Sequence, residues 1–162
     1  MNQHERIKLI QRYESGPTLL EEALKRFPFE MWKFKPAPNK WSIHEIVIHL
    51  ADSEIQSHVR CRMIIAEPGT VIPNHDEHQW SIALNYGISG VAEALDAVRL
   101  VRKMNAELLK SIAEPAWLNS CNHSIRGRIT LEDWLDTYTA HIPHHIEQME
   151  RTHKAWTTRG PE

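Results

Sequence analysis

Residues 41–66 read WSIHEIVIHLADSEIQSHVRCRMIIA, the pattern of one long helix with a sharp start. Ser42 and Glu45 form an S-x-x-E capping box, in which each side chain takes a backbone N–H that the first turn leaves unpaired. Trp41, just ahead of the cap, stands where it can pack on Ile46 as a hydrophobic staple. No breaker follows until Pro68-Gly69, so the helix is expected to end near Ala66. Within it, Glu45, His49, Ser53 and Gln56 make a polar line beside the apolar face, spaced three and four residues apart.

Working outward, three other segments share the helical period and none shows a sustained alternation. The first covers residues 3–26, with Ile7, Ile10, Leu19, Leu20, Ala23, Leu24 and Phe27 as its inner face and a break at Gly16-Pro17. Another starts near Ser89, carries Val91, Leu95, Val98, Leu108, Leu109 and Ile112 inward, and ends before Pro115. The last is capped by Thr130, has Glu132 and Asp133 in its first turn, and runs to about Trp156. Residues 67–88 and 114–129 read as long loops. The expectation is an all-α, four-helix bundle of up-down type with long connecting loops, one domain over 1–162.

Composition narrows the function. The chain has 162 residues, 41% of them apolar, enough for a core without staples. A net charge of −2 gives no general drive toward nucleic acid, and no run is apolar enough to span a membrane. The opening MNQHERIKLIQRYE is too charged for a signal peptide, and Cys61 and Cys121 make no disulfide framework, so a cytoplasmic location is expected. P-loop, Rossmann and nucleophile-elbow motifs are absent.

The excess is in histidine, with 11 residues. His141 and His145 lie one helical turn apart, so their rings project about 40° from one another on one face. That spacing alone is not specific, since His144 and His153 lie close by. His49 adds weight, because a polar line inside a bundle needs a reason to be buried. A cation between facing helices supplies one, and three imidazoles leave an open position for water or substrate. His44 and His49 are about 140° apart and cannot share an ion, so the zincin pattern fails. His75 and His78 read as surface residues of a loop that could close over a site.

Three stretches together resemble the DinB/YfiT-like family of four-helix proteins. PNKWSIHEIVIHLADSEIQSHVRCRMIIAEP (38–68) is similar to its first motif, W-[ST]-x-x-x-[IV]-x-x-H-x-x-D-[SA]. NHDEHQW (74–80), followed by Leu84, is similar to the loop segment that comes next, and TLEDWLDTYTAHIPHHIEQ (130–148) to the closing H-x-x-x-H motif. The resemblance implies His49, His141 and His145 as ligands of one divalent ion, nickel or zinc. It also implies a metal-dependent hydrolase or a thiol S-transferase using a low-molecular-weight thiol such as bacillithiol, acting on a small molecule and often as a homodimer. Pro143, between the last two ligands, can kink the helix and bring in His144 instead of His145.

The resulting expectation is an enzyme whose metal activates water or a thiol. Glu45 and Asp52 are candidates to orient the free ring nitrogen of His49, with capping and a solvated face as their plainer roles. Arg60 is a candidate contact for an anionic thiol cofactor, with a surface salt bridge as its plainer role. The alternative is a non-catalytic metal-binding module of stress-response or interaction type.

Overall fold

The capping signals and apolar periods produce six helices in the computed structural model, which describes residues 1–159; positions 160–162 of the expected domain lie outside the described residues. Helices α1 (Gln3–Glu14) and α2 (Gly16–Leu24) are the two halves of the interrupted first segment. Next come α3 (Ile43–Ala66), the short α4 (Glu77–Ala83), α5 (Val91–Ser111) and α6 (Leu131–Thr158). Capping boxes at Ser42/Glu45 and Thr130/Asp133 start α3 and α6, as expected from the sequence. Pro143 does not interrupt α6.

The all-α bundle is present, with the α1–α2 pair, α3, α5 and α6 as its four members. Its order is not the chain order. The α1–α2 pair packs on α5 and α6, and α3 packs on the same two helices. The α1–α2 pair and α3 therefore stand diagonally opposite, as do α5 and α6, while α3 and α5 are neighbours. The connections over 25–42 and 112–130 make this possible, because they can cross a bundle end where a short loop would force antiparallel neighbours.

The two stretches read as long loops, 67–88 and 114–129, are more ordered than their composition suggested. The first carries β1 (Val71–Ile72) and α4; the second carries β2 (Ser120–His123) and β3 (Gly127–Thr130). β1 pairs parallel with β2, and β2 antiparallel with β3, so a small sheet ties both connections together at one end of the bundle. Strands of two to four residues are too short to show a period of two, which is why they read as loop. Gly127 has φ +73°, a conformation that a side chain would strain, and it closes the β2–β3 turn.

Apolar residues form two clusters, one around Leu20, Ile46, Leu50, Val98 and Met149, the other around Ile10, Cys61, Leu109, Leu131 and Leu135. Ile7 and Leu19, expected inside, are about half exposed, because the inner faces of α1 and α2 centre instead on Leu9, Ile10, Tyr13 and Leu20. Between the clusters lies a polar layer. Arg102 of α5 and Glu54 of α3 are both fully buried and paired at 2.6 Å. Arg102 also donates to the backbone oxygens of Tyr13 and Tyr138, at 2.9 and 2.6 Å. Glu54 accepts from the Tyr13 hydroxyl at 3.1 Å and from Ser57 at 3.2 Å, while Asn105 donates to the Tyr13 hydroxyl. One guanidinium thus connects all four members. Gly16 completes the fit, since a Cβ there would collide with Arg102 Nη1.

Candidate metal centre

α3 and α6 lie side by side, and their facing surfaces bring three histidines together. His49 sits about two turns into α3, and His141 and His145 one turn apart on α6. Ring centroids are 5.4 Å apart for His49–His141, 4.7 Å for His49–His145 and 4.6 Å for His141–His145. One ring nitrogen from each lies within 4.8 Å of the other two. The Nε2 atoms of His141 and His145 are 3.2 Å apart, close to the roughly 3.3 Å edge of a tetrahedron with metal–nitrogen bonds of about 2.05 Å.

The hydrogen bonding fits a cation. His49 Nε2 is buried without a partner, a costly state for a polar atom unless something else satisfies it. His145 Nδ1 meets Gln148 Oε1 at 2.9 Å, which places the proton on Nδ1 and leaves Nε2 a free lone pair. The indole of Trp41 lies against His49, with centroids 4.6 Å apart, and extends toward His145. Its Nε1 donates to Ser81 on α4 at 3.1 Å, so the helix entrance and the α4 segment hold one wall of the cluster. At the N-terminus of α4, Glu77 Oε2 comes within 3.6 Å of His49 Nε2.

Burial, reinforced by neighbouring rings, lowers the three imidazoles: His49 to about 3, His141 to about 2 and His145 to about 4. All three are neutral at pH 7, the form that ligates. In the unfolded chain they protonate near 6.5. Below that value the unfolded state binds more protons, so the metal-free protein loses stability as pH falls from about 6.5 toward 4. Each histidine contributes up to about 1.4 kcal/mol per pH unit. Bound metal should move the acid transition down. Circular dichroism across pH, with and without chelator, reads both midpoints, and coincident midpoints would show that no ion stabilises the folded state.

His144 is exposed, so α6 keeps its phase through Pro143 and presents His145 to the cluster. Glu45 does not reach the His49 ring: Oε2 accepts from Ser42, and Oε1 pairs with Lys35 at 2.6 Å. Asp52 accepts from the Tyr86 hydroxyl instead. The short reach of both carboxylates from α3, with closer partners at hand, explains why neither orients His49. Arg60 has no ion-pair partner among the described residues. It donates to the Tyr138 hydroxyl and to the Pro73 carbonyl, on the wall of a cavity of about 400 Å³ that opens from His141.

Sequence reasoning missed Gln148, Glu77 and the covering role of Trp41. Gln148 carried a signal, standing one turn beyond a ligand candidate. Glu77 carried none, because only the fold of the 67–88 connection brings it to His49.

The sequence profile of the DinB superfamily matches residues 12–149. YfiT of Bacillus subtilis, named as a candidate metal-dependent hydrolase, is 25% identical over 150 residues, covering 90% of this chain and 83% of its own. A protein of Oceanobacillus iheyensis with the same description, OB0782, is 23% identical over 137 residues, covering 85% and 79%. The solved structure of B. subtilis YfiT, described as a four-helix bundle of unusual topology, superposes with a TM-score of 0.88 at 23% identity, covering 97% of this chain and 90% of that one. The shared fold, the matched span and the order of the motifs agree: the chain belongs to the DinB superfamily.

Proposed function

We propose that this protein is a metal-dependent hydrolase of small molecules, holding one divalent ion, nickel or zinc, on His49, His141 and His145. The observation that carries the reading is the buried, unpartnered Nε2 of His49 turned toward two further neutral imidazoles. When bound, such an ion supplies Lewis acidity toward a carbonyl and toward water. The protein's own groups do the rest. Gln148 holds His145 in the ligating tautomer, and Trp41 keeps water off one side of the cluster. Glu77 Oε2, on the exposed side, is placed to take a proton from the attacking water. The reading is supported by the descriptions given to YfiT and OB0782.

Metal-loaded protein assayed against simple esters and amides should hydrolyse at least one class, and chelator should abolish the activity. Glu77→Gln should lower kcat by about a hundredfold with metal content unchanged. Turnover only with thiol-plus-electrophile pairs would reassign the reaction to thiol transfer at the same centre. Full metal loading with no turnover in either assay would favour the non-catalytic module.

A further inference from the structure

The cavity that opens from His141 reaches the β2–β3 turn, and Arg60, Arg126, His75 and His123 bring hydrogen-bond donors to its wall among Ile64, Ile72 and Ile129. We propose that this end is an oxyanion subsite, holding a carboxylate or phosphate group of the substrate while the reacting bond lies at the three-histidine cluster. Two guanidinium groups, of Arg60 and Arg126, stand on its wall, and neither is paired with a carboxylate among the described residues. Arg60 donates to the Tyr138 hydroxyl, the Pro73 carbonyl and His75 Nδ1, all of them neutral, so its charge has no carboxylate counterpart among the described residues.

The two histidines of this end are also donors. His75 Nδ1 faces Arg60 Nη2 at 3.4 Å, and a guanidinium only donates, so the ring proton of neutral His75 sits on Nε2. His123 Nδ1 accepts from the backbone N–H groups of Ile125 and Arg126, at 3.2 and 3.3 Å. Its Nε2 therefore carries the proton as well. The Tyr138 hydroxyl accepts from Arg60 at 3.2 Å, which leaves its own hydrogen to donate.

The carboxylates on the cavity wall lie toward α4 and are occupied. Asp76 caps α4 by accepting from the Gln79 N–H, and Glu77 faces His49. The two guanidinium groups, Arg126 at the turn and Arg60 on α3, are thus left without a carboxylate partner among the described residues. Tyr138 links Arg60 to the cluster: its hydroxyl meets Arg60, and its ring centroid is 6.0 Å from that of His141. A ligand anchored by its anion at Arg60 reaches the cluster through a few bonds. Bidentate pairing with carboxylate or phosphate is the contact at which guanidinium excels.

The inference rests on the hydrolase reading only in calling the bound molecule a substrate. Its test therefore uses chelator-treated full-length protein at pH 7.5, so that no bound cation can hold the probe. Monoethyl succinate, inorganic phosphate and the neutral diethyl succinate are titrated while the ring resonances of His75 and His123 are followed by NMR. At least one anionic probe should shift both at millimolar concentration, the tighter of the two naming the class, and the diester should shift neither. Arg60→Gln and Arg126→Gln should each weaken binding at least fivefold. Arg126 is exposed, and its side chain has no hydrogen bond among the described residues, so its variant keeps the fold even if loss of the Arg60–Pro73 contact loosens β1. Equal binding of the diester, or unchanged affinity in Arg126→Gln, would overturn the subsite. Absent turnover in the metal-loaded enzyme would remove the hydrolase and leave anion binding standing.

Discussion

Loaded with nickel or zinc, the wild type should hold close to one ion per chain, and His49→Ala should lose it. The substitution removes the imidazole whose buried Nε2 has no other partner, and the two ligands left on one helix face make a far weaker site. His145→Ala should behave alike, whereas His144→Ala should keep the metal, since that ring faces solvent. Gln148→Ala acts at one remove, by freeing the His145 ring, and should weaken affinity by roughly 10- to 100-fold. Elemental analysis after loading and desalting reads the first three, and competition with a chromogenic chelator reads the fourth. Equal metal in wild type and His49→Ala would place any bound ion elsewhere. At neutral pH the metal-free forms should remain helical, because the two apolar clusters do not include the ligands.

The largest loss of stability should follow removal of Arg102. Arg102→Met leaves the Glu54 carboxylate fully buried without its cation, and frees the carbonyls of Tyr13 and Tyr138. Breaking a buried pair from one side costs about 3–5 kcal/mol, or roughly 10 °C in Tm for a domain of this size. Arg102→Met/Glu54→Leu should recover part of that, because the desolvated charge is then gone. The measurement is paired thermal and urea unfolding of the three proteins. A single variant as stable as wild type would mean that water or a rearranged Asn105 satisfies Glu54. Tyr138, one turn before His141, is held by this guanidinium, so Arg102→Met should also weaken metal binding, though less than loss of a ligand.

Much was legible in the one-dimensional pattern because its causes are local. A capping box is satisfied within four residues, so Ser42/Glu45 and the Thr130 cap announced the starts of α3 and α6. The i, i+4 spacing of His141 and His145 needs only the helical pitch, which a proline at position 143 did not disturb. The polar line along α3 showed that one face was reserved for something other than packing, and His49 proved to be its buried member at the cluster. Arg102 hid for the opposite reason. A lone arginine in a helix reads as solvated, and its burial depends on Glu54, distant in sequence, arriving opposite it.

Sequence alone thus determined the four long helical segments, the caps of α3 and α6 and the spacing of His141 and His145, because each is governed by neighbours within about a turn. Only the tertiary structure decided the order of helices round the bundle, since loop length permits a diagonal crossing without requiring it. It also decided what surrounds the ligands. Glu77 arrives on a seven-residue helix whose place depends on Trp41 and Ser81, and Arg60 meets His75, Tyr138 and the β2–β3 turn only once the small sheet has paired. Contacts of this kind carry no periodic signal: they arise where segments far apart in the chain are packed against one another.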